Sequence, residues 1–172
     1  MEEMAANDRV IGGLNPLSTD RAKQLYSSFC NGEMLLTNAT TAEMAKLTEN
    51  SFRDVNIAFA NELSIISDKL GIDVWELIEL ANHHPRVNIL NPGPGVGGHC
   101  IAVDPWFIVS SAQEEAKLIR TAREVNDGKP AYVIAKITEA VEAEGADSIA
   151  ALGIAFKPDI DDLRESPALS IV

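Results

Sequence analysis

The residues able to carry chemistry gather in one short run, NPGPGVGGHCIAVDPWF, at positions 91 to 107. The thiol Cys100 comes soon after two glycines, a setting in which backbone amides can approach a bound carbonyl closely and stabilise an oxyanion. A lone cysteine can equally be a small buried hydrophobe. Asp104, four residues on, could orient a water or receive a proton; as an aspartate before proline it could also cap a turn or helix. His99 adjoins the thiol, but neighbours in sequence rarely point the same way. His83, His84, His99 and Cys100 lack zinc-site spacing, and no metal is expected.

The glycines raise a separate question. Gly93, Gly95 and Gly98 fit G-x-G-x-x-G, a dinucleotide fingerprint only where a strand precedes it and a helix opens at its last glycine. Here HHPRVNILNP leads in, carrying Pro85 and Pro92 and no uninterrupted β-branched run, so the fingerprint reading is weak. Lys46 and Asn50, one helical turn apart, would lie on one face and could reach one ligand together, or could form an exposed polar face. The remaining local cations are Arg86, just before the glycine run, and Lys157 and Arg164 around FKPDIDDLRES. Lys157 follows an apparent parallel strand, where open α/β sheets bind anionic ligands. Arg164 could instead pair with Asp161 or Asp162.

Stepping outward, RVIGGL at 9–14 reads as a strand, and PLSTDRAKQLYSSFCNG as a helix capped by Ser18 or Thr19 and stopped by Gly32. EMLLTN is a brief extended piece. From the capping-box pair Thr40 and Glu43, the residues Met44, Leu47, Phe52, Val55, Phe59, Leu63, Ile66 and Leu70 recur every three to five positions until Gly71. They predict one amphipathic helix, Thr41 to Leu70, of about eight turns. Its apolar stripe is longer than the neighbouring short helices can cover, which predicts a homodimer through this helix. Asp73 and Glu76 repeat the capping spacing before VWELIELANHH, closed by Pro85. EEAKLIRTAREVND and PAYVIAKITEAVEAEG are expected as two further helices. SIAALGIAF suits a buried parallel strand, and RESPALSIV a helix start with Ser166 as cap and Pro167 first. One strand and one turn cannot cover their own faces, so the chain is expected to be a piece of a longer protein.

Composition narrows the classes. Among 172 residues, 46% are apolar, ample for a packed core. Twenty-six acids against fourteen bases leave a net charge of −12. That excludes a general nucleic-acid or anionic-membrane surface, since both need excess positive charge. No run reaches the ~18 apolar residues of a membrane span, and the acidic start MEEMAANDRV is unlike a secretory signal, so a cytoplasmic location is expected. Cys30 and Cys100 are expected to be thiols.

Three of these segments, in order, resemble the nucleotide-sugar 6-dehydrogenases, the family of UDP-glucose and GDP-mannose dehydrogenases. AEMAKLTENSFRDVNIAFANEL looks like its central-helix motif, GVGGHCIAVDP its catalytic-cysteine loop, and ALGIAFKPDIDDLRES the opening of its nucleotide-sugar domain. PRVNILNPGPGVGGHCIAVDPWF with RTAREVND looks closest to members acting on UDP-N-acetyl-D-mannosamine, UDP-glucose enzymes typically having serine before the cysteine. The resemblance implies a mainly α helical dimerisation domain, like the C-terminal domain of 6-phosphogluconate dehydrogenase, with edges of two α/β Rossmann-like domains. Residues 1–17 would end a truncated NAD-binding domain, 18–146 form the helical domain, and 147–172 begin a truncated UDP-sugar domain. NAD would be held mainly by parts absent from this chain.

The resemblance also implies roles. Cys100 would be the nucleophile, Lys46 an oxyanion stabiliser, and Asn50 and Asp104 would place protons and the hydrolytic water. Arg86, Asn88, Asn91, Gly95, Gly97, Gly98, Phe156 and Lys157 would contact the UDP-sugar, and Arg164 would lie toward the NAD phosphates. UDP-N-acetylglucosamine remains an alternative substrate, and a helical dimerisation module, inactive as an isolated chain, an alternative function.

Overall fold

The computed structural model describes residues 2–157 and 159–172; Met1 and Pro158, the latter inside FKPDIDDLRES, lie outside the described residues. Two compact units, Met1–Glu49 and Asn50–Val172, divide within a single long helix.

The first unit holds α1 (Glu2–Ala6), β1 (Arg9–Gly13), α2 (Pro16–Tyr26), β2 (Met34–Asn38) and the opening turns of α3 (Ala39–Leu70). The expected strand RVIGGL is β1. The extended piece EMLLTN supplies its partner: β2 runs parallel to β1, with Arg9 opposite Met34 and Gly13 opposite Asn38. Parallel neighbours need a crossover, and α2 is that crossover. Its cap is Asn15, not the expected Ser18 or Thr19. The Asn15 side chain accepts from Ser18 N at 2.9 Å and Ser18 Oγ accepts from Asn15 N at 3.0 Å. Pro16, pre-set for the first helical position, leaves Asn15 at the cap and Ser18 three residues in. The helix ends at Tyr26, ahead of Gly32. α3 likewise starts before Thr40, with Asn38 Oδ1 accepting from Thr41 N at 2.9 Å.

The second unit holds the rest of α3 with α4 (Val74–Asn82), α5 (Asp104–Ser111), α6 (Lys117–Glu144) and α7 (Pro167–Ile171). Asp73 caps α4 as its spacing predicts, accepting from Trp75 N at 2.8 Å and Glu76 N at 3.4 Å. The two helices expected after the glycine run are one, because α6 continues through Pro130. Proline removes one rung of the helical ladder, and cross-links to α3 lie on either side of it. Asn126 bonds Asp54 ahead of Pro130. At and beyond the break, Lys129 bonds Ser64, Tyr132 OH donates to Asp68 Oδ2 at 2.6 Å, and Lys136 pairs with the same carboxylate at 2.8 Å.

SIAALGIAF, expected as a buried strand, forms no ladder, and Leu152 is 98% exposed. Among the described residues no strand lies in this unit to pair with it, and parallel strands persist only inside covered sheets. Ser166 does stand at the start of α7, with Pro167 first, but its Oγ donates to Ile154 O at 2.7 Å instead of capping the helix.

The long helix presents its faces in an unexpected sense. Met44, Phe52, Phe59 and Ile66 of the apolar stripe are exposed, Phe52 by 69%. The buried residues of α3 are Asn50, Ser51, Asp54, Ala58, Ala60, Asn61 and Ser67. Small and polar side chains line this contact because α6 answers them with Arg123 and Asn126, each 1% exposed. Arg123 Nη1 donates to Asp54 Oδ1 at 2.6 Å, and its Nη2 reaches Asp127. Burial pushes the Asp54 carboxyl above its ordinary range, a shift that Arg123 and the Asn126 hydrogen bond oppose without cancelling.

Removing Asp54 leaves the buried Arg123 with only the exposed Asp127 as counter-charge. Asp54→Ala should therefore destabilise the chain by about 3–5 kcal/mol, while Asp54→Leu combined with Arg123→Met should come close to neutral or stabilise it. Urea unfolding of the three proteins checks this; an Asp54→Ala midpoint equal to that of the unaltered chain would refute it.

Candidate active site

The loop that carries the candidate nucleophile is anchored from its first residues. Asn82, at the end of α4, grips Ile89 from both sides: its Oδ1 accepts from Ile89 N at 2.7 Å and its Nδ2 donates to Ile89 O at 3.0 Å. Four residues on, Gly93 N donates to Asn61 Oδ1 of α3 at 2.8 Å. Gly97 then passes so close to the segment after residue 155 that an added Cβ would lie 2.5 Å from Phe156 Cβ and 2.6 Å from Glu165 O. Gly98 holds φ +84, which disfavours any residue with a Cβ. Gly95 lies against Pro130 and Pro167. Close approach of backbone to Phe156 and Pro167 is a use for these glycines that their spacing did not signal.

Their spacing does not mark a dinucleotide turn. No strand leads into Gly93, and the next helix, α5, opens only at Asp104. The run thus lacks the strand-to-helix geometry that places a pyrophosphate on a helix N-terminus. The residues of this chain do not compose an NAD site through that fingerprint.

Cys100 is an exposed free thiol, whereas Cys30 is buried and donates to Asn7 O at 3.3 Å. The turn at Cys100 feeds directly into α5, its carbonyl accepting from Val103 N at 3.2 Å and Asp104 N at 2.8 Å. Asp104 is the first residue of α5, and its Oδ2 accepts from Asn50 Nδ2 at 2.5 Å. Asn50 is buried on α3, so the long helix reaches across to the residue that follows the cysteine turn. Two of the four catalytic candidates are thereby hydrogen-bonded together, and a third shares a backbone turn with one of them.

The other candidates are placed less tightly. Lys46, in the first unit, is exposed and pairs with Glu49 at 3.3 Å. Arg86, Asn88 and Asn91 are exposed; Arg86 N donates to His84 Nδ1 at 3.3 Å. Phe156 is half-buried against the glycine loop, with Lys157 Nζ 5.9 Å from its ring centre. Arg164 pairs with Asp162 through contacts of 2.9 and 2.6 Å, one of the two partners its sequence allowed. The Arg164 bonds hold the Asp162 carboxyl well below the usual carboxylate range. Among the described residues no cluster of three metal-binding side chains occurs, and no helix is long and apolar enough to cross a membrane.

The residues that position this site, Asp54, Asn61, Arg123 and Asn126, were not singled out by motif. A signal exists: Asn50, Asp54, Ala58 and Asn61 recur every three or four positions on α3, the period otherwise read only for its apolar residues.

The chain belongs to the UDP-glucose/GDP-mannose dehydrogenase family, whose central-domain model matches residues 40–128. The UDP-N-acetyl-D-mannosamine dehydrogenase of Campylobacter jejuni is 65% identical to it over 172 residues, covering 100% of this chain and 42% of that protein. The NDP-N-acetyl-D-galactosaminuronic acid dehydrogenase of Ralstonia nicotianae is 62% identical, covering 100% of this chain and 41% of the relative. The solved structure of a UDP-N-acetyl-mannosamine dehydrogenase from S. aureus superposes with a TM-score of 0.90 at 51% identity, covering 99% of this chain and 41% of that one. The chain thus spans about two-fifths of the length of the proteins it matches.

The contrast between the two thiols is directly measurable. Iodoacetamide should label the folded chain once, at Cys100, with Cys30 reacting only after denaturant is added. Peptide mass spectrometry reads the two sites separately, and equal labelling of both in the folded chain would contradict the placement of either.

Proposed function

We propose that this chain is the central part of an NAD-dependent UDP-N-acetyl-D-mannosamine 6-dehydrogenase, working in the cytoplasm, which oxidises the C6 alcohol of a UDP-amino-sugar to a carboxylate. The observation that carries the reading is the Asn50–Asp104 hydrogen bond beside the exposed Cys100, found in a chain that belongs to this dehydrogenase family. The mannosamine substrate is supported by the 65% identity to the Campylobacter jejuni UDP-N-acetyl-D-mannosamine dehydrogenase.

In this reading a first two-electron oxidation turns the C6 alcohol into an aldehyde, and Cys100 adds to it to give a thiohemiacetal. A second two-electron oxidation of that adduct leaves a thioester that water hydrolyses to the carboxylate. NAD supplies the chemistry of hydride acceptance; it is held by parts of the whole enzyme outside this chain. The rest falls to the residues here. Asp104, fixed by Asn50, holds and directs the water that cleaves the thioester, and takes its proton. Lys46 stabilises the oxyanion on the sugar carbon. Arg86, Asn88, Asn91, Gly95, Gly97, Gly98, Phe156 and Lys157 bind the UDP-sugar, and Arg164 faces the NAD phosphates once freed from Asp162. Residues 1–17 and 147–172 belong to two Rossmann-like domains around a helical domain expected at 18–146, and β2, paired with β1, extends the first of these edges beyond residue 17. The exposure of Leu152 and Ile149 supports the second edge, since SIAALGIAF would gain partners as a strand of the second domain.

The exposed stripe of α3 supports a homodimer through that helix, and with it a second role as a dimerisation module that the chain retains by itself. A stable interface of this kind buries ~2,000 Å² or more. Light scattering should give a dimer mass at tens of micromolar, and a monomer mass would count against it.

The chain alone should form no NADH with any UDP-sugar, since hydride transfer needs the acceptor within about 3.5 Å of the reacting carbon. Absorbance at the NADH band rising above the enzyme-free control would overturn that. In the complete enzyme, Cys100→Ala should abolish acid formation, whereas Cys100→Ser should trap an ester visible as a mass increase close to that of the UDP-sugar. Lys46→Ala should slow turnover about 10² to 10³-fold without trapping, the loss expected for one oxyanion donor. Near-normal acid production by Cys100→Ala would end the covalent mechanism.

A further inference from the structure

A chain of buried side chains runs from the α6 cation to the glycine loop, and every link has a fixed direction. Arg123 can only donate, so the Asp54 oxygen facing it accepts. That same Oδ1 and the Asp54 backbone carbonyl accept from Asn126 Nδ2 at 2.8 and 3.0 Å. Asn126 is thereby turned with its Oδ1 away from Asp54, where it accepts from Asn61 Nδ2 at 2.8 Å. Asn61 is turned in the same way, leaving only its Oδ1 to face the loop. Asp54 and Asn61 have no exposed surface, and Arg123 and Asn126 are 1% exposed, so water cannot substitute for any of these partners.

What Asn61 offers the loop is therefore an acceptor, and the loop must answer with a backbone N–H. In Asn91-Pro92-Gly93-Pro94-Gly95 both flanking residues are prolines, which carry no N–H. Gly93 has the only amide hydrogen across positions 92 to 94, and it is the one bonded to Asn61. A slip of one residue in either direction would place a proline nitrogen against the acceptor and leave Asn61 Oδ1 buried without a partner.

We propose that Asn61, oriented by Asn126, is the positioning residue that sets the register of the glycine loop and so the placement of Cys100. The same helix holds the other end of that segment through Asn50 and Asp104. α3 thus spans the loop as a rigid strut with one bond before the cysteine and one after it. The proposal rests on Cys100 being the nucleophile, but its test reads the position of the thiol and needs no turnover.

Hydrogen exchange on the unaltered chain is the first measurement. The Gly93 amide should be protected to within about tenfold of the α6 core amide at Ala122, as expected for a bond that opens only with its unit. Exchange of Gly93 at the rate of an unstructured peptide overturns the proposal whatever the variants do. The second measurement uses Asn126→Leu, which frees the Asn61 amide to turn without touching the loop. Gly93 exchange should rise about three- to tenfold, the loss of one hydrogen bond. The alkylation rate of Cys100 should shift with it, while Ala122 rises by clearly less, its own increase reading the lost Asn126 bonds to Asp54. Asn61→Asp, kept protonated by burial so that its hydroxyl donates to Asn126 Oδ1 and its carbonyl accepts from Gly93, should restore Gly93 protection relative to Asn61→Leu and return the Cys100 rate toward that of the unaltered chain. Exchange that accelerates at Gly93 and Ala122 alike makes the network merely structural, and a freed Gly93 with an unchanged Cys100 rate makes the grip irrelevant to the thiol; either result overturns the proposal.

Discussion

The buried pairing of Arg123 with Asp54 is the constraint on which the second unit is built. Two charges taken out of water cost least when hydrogen bonds surround them; here Asn126 also bonds Asp54 Oδ1 and Asp127 also pairs with Arg123, while Asp54 Oδ2 and Arg123 Nε have no partner among the described residues. Apolar side chains would have allowed α3 and α6 to slide by fractions of a turn at small cost. Directional bonds do not, because a small rotation breaks several at once. The contact therefore fixes the two helices in register, and with them the side chains each presents at its far positions.

This explains why one helix can serve two purposes. α3 turns its polar face to α6 and the loop, where Asn50, Asp54 and Asn61 each meet a particular partner. Its apolar face, with Phe52, Phe59 and Ile66, is exposed. At the contact of α3 with α6, specific bonds join the two helices. The reversal of the usual arrangement is consistent with a family in which the central domain joins other parts.

The sequence disclosed the parts whose signals are local. Asp73 caps α4 because its spacing to Glu76 can be satisfied within one turn, and β1 is visible in RVIGGL. Cys100 and Asp104 are candidates by their motif, and the bond that joins Asp104 to Asn50 crosses fifty-four positions of sequence. Other features were decided at a distance. EEAKLIRTAREVND and PAYVIAKITEAVEAEG are expected as two helices, and the bonds to Asp54, Ser64 and Asp68 that accompany α6 through Pro130 come from another element. SIAALGIAF has the composition of a strand, but a strand exists only where another runs beside it. The inward face of α3 was missed because periodicity was sought in its apolar residues, when the residues that pack are the polar ones between them.

The prolines on either side of Gly93 have a consequence for how this loop tolerates change. Their contribution lies in hydrogen atoms that are absent, so replacing Pro92 or Pro94 by alanine would delete almost no contact and would look harmless by any inventory of packing. Each replacement would nevertheless supply a second amide able to compete for the same acceptor, turning one conformation into a mixture. Sensitivity of this kind belongs to the alternatives a sequence forbids, and here two of its eight prolines forbid them within three residues.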